Sequence, residues 1–267
     1  MDKALEEKKN ALQKIIGTYK SALIGFSGGV DSTLLAFTCQ QVLKDKVLLV
    51  TATSSTYITK ELNEATAFAK EHNFRHLIIQ SEELDIPGFS NNPKNRCYYC
   101  KLELFSKLKH IALANNIDVV FDGDNVSDLQ DYRPGREAAK ELGIISPLTA
   151  AGMTKSDIRE LSRYYKLPTS EKPAMACLAS RFPYGETITR EKLERVAILE
   201  EKLRDFGFTQ LRVRSHDNLA RIEFINDEIE KAFTMREKIG ISAKNAGFTY
   251  CSIDVQGYRT GSMNESL

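Results

Sequence analysis

Six residues near the start, Ser27-Gly28-Gly29-Val30-Asp31-Ser32, lie between an apolar run, SALIGF, and a helical pattern, TLLAFTCQQVLKD. Adjacent glycines permit a tight turn and close backbone approach. The helix that follows aims unpaired N–H groups and the positive end of its dipole at any anion placed there. Ser27 and Ser32 add hydroxyl donors. Asp31 would repel a phosphate unless a cation lay between them, so the loop implies a Mg²⁺ bridge. A glycine turn with a helix-capping Asp and Ser is the plainer reading, and the strand-before, helix-after context weighs against it. Neither G-x-x-x-x-G-K-[ST] nor G-x-G-x-x-G occurs, which excludes a Walker A loop and a dinucleotide fingerprint.

Sulfur chemistry is the second signal. Cys97-Tyr98-Tyr99-Cys100 opens a helical pattern, where two thiolates three residues apart can share one metal centre and the helix N-terminus favours their ionised form. No second C-x-x-C completes a four-cysteine zinc knuckle. Cys177 lies in PAMACLASRFPYG, where Arg181, four residues on, favours its thiolate. Cys97, Cys100 and Cys177 together would hold a [4Fe–4S] cluster with one iron left open for an exchangeable sulfide. Cys177 acting alone, a zinc site and a structural role are the alternatives. Cys39, inside an apolar helix pattern, and Cys251, inside a strand pattern, are expected in the core.

A third group is basic. Arg212 and Arg214 alternate along a predicted strand, so they project from one face, with His216, Arg221 and Glu223 close by. Two guanidiniums on one face suit a phosphate or carboxylate. The competing reading is the solvated face of a half-buried sheet.

The elements around these groups are legible. A helix over about 3–19 precedes SALIGF; the strands KVLLVTAT, RHLIIQ and DVVFDGD then alternate with the helices ITKELNEATAFAKEHN, YYCKLELFSKLKHIALANN and REAAKEL. Short apolar runs between helices predict a doubly wound parallel sheet covered on both faces. Thr154 and Asp157 form a capping pattern at the head of another helix, TKSDIRELSRYYK. The alternation then breaks into LPTSEKPAMACLASRFPYGETIT, a long ordered loop or linker of the kind that usually carries function. Beyond it come the helix REKLERVAILEEKLRDFG, the strands TQLRVRSH and LARIEF, a helix over about 227–246 and the strand YCSIDV. The expected organisation is an α/β domain over 1–185 and a smaller α+β domain over 186–267.

Bulk properties agree with an ordinary globular chain. Lys and Arg number 37 against 36 Asp and Glu, so composition exerts no general pull toward nucleic acid or an anionic membrane. No segment reaches the roughly 18 apolar residues of a membrane span. The charged N-terminus lacks a signal-peptide core, and a cytoplasmic, reducing location is expected.

The loop SGGVDS resembles the PP-loop of the N-type ATP pyrophosphatases, a superfamily of adenine nucleotide alpha hydrolase-like fold. That resemblance implies ATP cleaved between its α- and β-phosphates, with AMP attached to an oxygen of the substrate. In such folds ligands lie beyond the carboxyl ends of the strands. One such end carries Ala52 and Ser54, where related folds hold adenine. Another carries Asp122, Gly123, Asp124, Asn125 and Asp128, then Asp131-Tyr132-Arg133-Pro134-Gly135-Arg136. Gly123 would allow close approach, carboxylates such as Asp128 would hold metal, and arginines such as Arg133 would neutralise phosphates. A solvated turn and capped helix is the plain alternative.

SGGVDS, DYRPGR, CLASRFPYG, RVRSHDNLARIE and GYRTGSMN together resemble the LarE family, over nearly the whole chain. These are ATP-dependent sulfur transferases that build the nickel-pincer nucleotide cofactor. The resemblance implies adenylation of a carboxylate on pyridinium-3,5-biscarboxylic acid mononucleotide and its conversion to a thiocarboxylate. It implies Ser180, Arg181, Arg212, Arg214 and Arg259 around the substrate phosphate, with Glu200 and Glu223 nearby, and homo-oligomers, hexamers by resemblance. In one branch a single cysteine of this loop, here Cys177, gives up its sulfur and becomes dehydroalanine; Cys97 and Cys100 match the branch that holds a cluster, fed by sulfide or another sulfur donor. A PP-loop tRNA thiolase is the first competing function, with neutral charge and no RNA-binding module against it. An amide-forming ligase lacks a glutaminase half, and a nucleotide sensor would bind ATP without releasing pyrophosphate.

Overall fold

The computed structural model describes residues 2–54, 59–130, 134–173, 176–259 and 261–262. Its contacts divide the chain into two compact units. One comprises Met1–Ser54, Thr59–Glu82 and Asn95–Met175; the other contains Glu83–Lys94 and Ala176–Leu267.

The first unit alternates helices and strands: α1 (Lys3–Ile16), β1 (Ala22–Gly25), α2 (Val30–Leu43), β2 (Val47–Thr53), α3 (Thr59–Glu71), β3 (Arg75–Gln80), α4 (Arg96–Ala114), β4 (Val119–Phe121), α5 (Gly135–Glu141), α6 (Pro147–Ala150) and α7 (Lys155–Tyr164). The four strands are all parallel in the order β3-β2-β1-β4. Strand pleating sends successive side chains to opposite faces, and both faces of β1, β2 and β4 are buried, while β3 at the sheet edge is largely exposed. Ala22 and Ile24 of β1, Val47 and Leu49 of β2, and Val119 and Phe121 of β4 enter a core shared with α1, α2, α3 and α7. Leu23, Leu48, Val50 and Val120 enter the opposite core, with Phe105, Leu108 and Ala112 of α4 and Ala139 of α5. This is the doubly wound parallel sheet expected. Because β1→β2→β3 winds one way and β4 lies on the other side of β1, the strand order reverses between β1 and β4, where such sheets bind ligands.

The second unit holds α8 (Arg190–Asp205), β5 (Leu211–His216), β6 (Leu219–Phe224), α9 (Ile229–Thr234), α10 (Arg236–Asn245) and β7 (Tyr250–Ile253). Its sheet runs β5-β6-β7, antiparallel then parallel. The helix expected over 227–246 is two helices broken at Met235. Thr234 Oγ1 donates to the Glu230 carbonyl at 3.0 Å, a back-bond of the kind that bends helices. Cys251 is a further correction: β7 pairs only with β6, and on this edge strand the thiol is exposed rather than in the core. Cys39 is fully buried, as expected. Among the described residues no helix is long and apolar enough to cross a membrane.

The capping box of α7 forms as the sequence predicts. Asp157 N–H donates to Thr154 Oγ1, and Asp157 Oδ2 accepts from the Thr154 N–H at 2.7 Å and from Lys8 Nζ at 2.6 Å. Partial burial opposes the charged carboxylate, but Lys8 and Thr154 outweigh it and hold Asp157 below the ordinary carboxylate range. The sign follows: the stabilisation is present above the unfolded value of about 4 and fades as pH falls through the lower folded value. Asp157→Asn is therefore expected to cost about 1 kcal/mol in urea unfolding at pH 7, with the gap to wild type closing below about pH 4.

Candidate active site

In the first unit the loop after β1 adopts the geometry its glycines allow. Gly28 has φ +70°, and a Cβ there would lie 3.0 Å from that of Ala65 on α3, so both conformation and space demand glycine. Gly29 caps α2, whose first intrahelical bond runs from Thr33 N–H to the Gly29 carbonyl at 3.0 Å. The N–H groups of Val30, Asp31 and Ser32 precede that bond and form the donor-rich end of the helix. Ser27 and Ser32 hydroxyls meet at 3.1 Å across the loop.

Asp31 anchors the surroundings. Its Oδ2 is 2.5 Å from Lys155 Nζ, and its Oδ1 accepts from Asn125 Nδ2 at 3.3 Å. The Asn125 amide also donates to Asp128 at 2.8 Å, so a fully buried side chain ties the loop after β4 to the loop after β1. Gly123 lets the two approach: a Cβ there would sit 3.3 Å from the Ser32 nitrogen. Asp122 is buried beside Asp124, and burial first, then that neighbouring charge, push its carboxyl up to about 6. Lys172 Nζ donates to the Gly28 carbonyl at 3.0 Å and pairs with Glu64 at 2.7 Å. Ala52 lies near the carboxyl end of β2, and Ser54 follows it. Arg133 lies outside the described residues.

Lys155 and Lys172 were not singled out from the sequence, and no local pattern marks them. They stand 124 and 144 positions from the loop residues they touch. The one available signal for Lys155 was its place beside Thr154 at the head of a capped helix.

The second unit contains a buried charge cluster. Arg181, Arg212, Arg214, Glu200 and Glu223 are each at most 5% exposed. Arg181 grips Glu200 with Nε and Nη2 at 2.8 and 3.0 Å. Arg214 donates from Nη2 to Glu223 at 2.7 Å and to Ser262 at 2.8 Å, and from Nη1 to the Ser180 carbonyl at 3.1 Å. Its Nε is buried without a hydrogen bond. The Arg212 guanidinium lies 5.1 Å from the Tyr258 ring centre. Gly257, at φ +68°, lets the chain turn where a Cβ would meet Asn226 Oδ1 at 2.5 Å. Burial, then the charge of Arg181, bring Arg212 down to about 10. Burial opposes the ionised Glu200 carboxyl, yet Arg181 holds it well below its ordinary value. Three buried guanidiniums thus share two buried carboxylates, an environment with one positive charge in excess. Arg259 sits at the margin, 3.9 Å from Asp254.

Cys177 is exposed and leads the short 3₁₀ turn Leu178–Arg181 in this same unit. The Ser180 N–H donates to the Cys177 carbonyl at 2.9 Å. Cys97 and Cys100 open α4 in the first unit as predicted. The five cysteines form no disulfide. Among the described residues no three His, Cys, Asp or Glu side chains are gathered as a metal site. Asp31, by contrast, already holds a cationic group against the loop, and its donor chemistry fits a Mg²⁺ ion.

Comparison with known proteins agrees with this architecture. Residues 4–97 match the NAD synthase family, which covers β1, the glycine loop and α2. An uncharacterized protein of Synechocystis is 44% identical over 98% of this chain and 99% of its own length. The pyridinium-3,5-bisthiocarboxylic acid mononucleotide synthase of Lactiplantibacillus plantarum is 34% identical over 98% of this chain and 96% of its own length. A more distant relative, a glutamine-hydrolysing GMP synthase component from Saccharolobus solfataricus, is 26% identical over 85% of this chain and 68% of its own length. The glycine loop at the β1–β4 crevice and this near-full-length likeness show that the chain belongs to the LarE-type family of ATP-dependent sulfurtransferases within the PP-loop class.

Proposed function

We propose that this enzyme adenylates a carboxylate of pyridinium-3,5-biscarboxylic acid mononucleotide with ATP and converts it to a thiocarboxylate, in the synthesis of the nickel-pincer nucleotide cofactor. The observation that carries the reading is in the second unit. A cysteine and a buried surplus of guanidinium charge belong to one hydrogen-bonded assembly, through Arg181 to Cys177 and Arg214 to Ser180. A phosphate-bearing substrate whose carboxylate must meet sulfur needs that pairing.

ATP is assigned to the first unit. Ser27, Gly28, Gly29 and Ser32 cradle phosphate oxygens, Ala52, Ser54 and Gly123 line the nucleotide, and Asp31 with Asp128 holds Mg²⁺, which supplies neutralising charge to the phosphates. Lys155 and Lys172 add cations at the same loop. Arg133 is assigned to the phosphates as well. A substrate carboxylate oxygen attacks the α-phosphorus, the bond to the β-phosphate oxygen breaks, and pyrophosphate leaves. The acyl adenylate then loses AMP to a sulfur nucleophile at its acyl carbon. Ser180, Arg212, Arg214 and Arg259 receive the substrate phosphate, braced by Arg181, Glu200 and Glu223.

Cys177 is the sulfur residue of the proposal. In its cluster form Cys97 and Cys100 join Cys177 around a [4Fe–4S] centre that takes sulfide from outside; the C-x-x-C at the head of α4 favours this form. In its sacrificial form the Cys177 thiolate displaces AMP, a base removes its Cα proton, and the Cβ–S bond breaks to leave dehydroalanine. The proposal extends to a cytoplasmic homo-oligomer, hexameric in the family resemblance, organised as domains 1–185 and 186–267.

Turnover with the dicarboxylate mononucleotide is expected to release AMP and pyrophosphate, and Asp31→Ala to abolish it by losing the cation at the phosphates. Release of ADP and phosphate would overturn the assignment. Arg212→Ala and Arg214→Ala are each expected to weaken mononucleotide binding by about 1.5–3 kcal/mol in calorimetry, with ATP binding kept. Unchanged affinity in both returns these arginines to a structural role. Anaerobically purified protein with about four irons per chain, lost in Cys97→Ala, Cys100→Ala and Cys177→Ala alike, supports the cluster. A chain lighter by about 34 Da at Cys177 after turnover supports sacrifice instead.

A further inference from the structure

Arg181 differs from Arg212 and Arg214 in how its donors are used. The side chain is fully buried. Nε and Nη2 engage both oxygens of Glu200 in a planar fork, at 2.8 and 3.0 Å. Nη1 turns the other way, to the backbone carbonyls of Ala176 at 2.7 Å and Cys177 at 3.2 Å and to Ser180 Oγ at 3.0 Å. The bidentate face that would grip a phosphate is therefore already occupied by a carboxylate. Glu200 is itself fixed: it also accepts from the Val213 N–H at 3.1 Å and from Arg204 at 2.7 Å. Through Val213 it is tied to β5, the strand that carries Arg212 and Arg214.

We propose that Arg181, braced by Glu200, is a positioning residue for Cys177, clamping the backbone that carries the thiol to the strand that carries the phosphate-binding arginines. The proposal rests on the reading of Cys177 as the sulfur residue and of Arg212 and Arg214 as the phosphate site. Its physical basis is a distance constraint. One end of the substrate is held by its phosphate while the other must meet sulfur, so the span between the Cys177 backbone and β5 has to be fixed. A path of three hydrogen bonds, Cys177 carbonyl to Arg181, Arg181 to Glu200, and Glu200 to the Val213 N–H, sets that span inside the protein. Ser180 adds a parallel link, because its N–H is bound by the Cys177 carbonyl and its own carbonyl by Arg214. Lysine cannot replace this device: an ammonium keeps the charge but not the planar fork that reaches a carboxylate on one side and two carbonyls on the other.

The test combines amide hydrogen exchange with kinetics of the first turnover, which either form of the sulfur step allows, KM and kcat standing for its half-saturation and limiting rate. In the wild-type protein without ligands, the Ser180 and Phe182 amides, which donate to the Cys177 and Ala179 carbonyls, should be protected like neighbouring core segments although Cys177 is exposed. Free exchange there would overturn the proposal, and this measurement needs no variant. In Arg181→Lys, exchange at Ser180 and Phe182 is expected to rise about tenfold or more while the first unit is unchanged, the pattern of a local release. The mononucleotide KM should stay within about threefold and kcat fall by about tenfold to a hundredfold, the cost of a misplaced reacting group. A rise in KM with kcat intact would make Arg181 a substrate ligand and sink the positioning role. If removal of the fork destabilises the fold, Arg181→Met with Glu200→Gln removes the buried pair together, leaving only the half-buried Arg204 without its Glu200 partner, and is read the same way. Exchange does not depend on the reaction, so a failure of the sulfur-transfer reading would appear in turnover alone.

Discussion

The ion pair between Arg181 and Glu200 is the constraint on which the second unit turns. Both side chains are fully excluded from solvent, and burying a pair of charges costs several kcal/mol per ion before their attraction returns it. Two leucines of similar volume would stabilise such a core at least as well. What leucines would not supply is direction: the pair joins α8, β5 and the turn that follows Cys177 through hydrogen bonds with fixed angles. Around it, Glu223 pairs with both Arg214 and Arg221, while Arg212 lies against the Tyr258 ring, so buried guanidiniums outnumber buried carboxylates. Burial first, then the charge of Arg181, bring Arg212 down to about 10, and Arg214 keeps a buried Nε without a hydrogen bond. A buried site short of one negative charge favours a bound anion.

The proposed function asks the two units to handle anions by different means. The loop after β1 uses backbone N–H groups and a helix terminus, with side-chain cations arranged around Asp31 and Gly28. Such a cradle is shaped for a chain of phosphates that is cut and released. The second unit uses guanidiniums held rigid by carboxylates, which suits a single phosphate that stays bound while chemistry proceeds at the far end of the molecule.

Much of this was legible in the sequence because it is local. Strand and helix periods gave the alternation, and the residues of β1, β2 and β4 do divide between two cores. Thr154 and Asp157 announced their own capping box. The same-face placement of Arg212 and Arg214 was readable from strand period, but not whether that face was wet, because burial there depends on α8 and on Tyr258, 46 positions from Arg212. Cys251 looked like a core residue since a strand pattern does not say whether the strand has a neighbour on both sides. The break at Met235 left no proline or glycine to mark it. Lys155 and Lys172 escaped for the same reason as the Arg181 clamp: their partners come from tertiary structure.

Asp31 poses the last question, because a carboxylate at a phosphate loop is unfavourable on its own. Lying in the first turn of α2, it is stabilised by the helix dipole, worth about 0.3–1 kcal/mol, and Lys155 and Asn125 then satisfy both oxygens. A phosphate arriving alone would meet that carboxylate with its negative charge only partly offset by one flexible ammonium. A divalent cation, if bound with the phosphate, would be held by Asp31 and would supply the neutralising charge that Lys155 alone supplies in part. Asn125 carries no charge, and its amide donates to one oxygen of Asp31 and one of Asp128, linking the two carboxylates. The loop after β4 is thereby tied to the glycine loop, and Gly123 is the residue whose small size lets the two come that close.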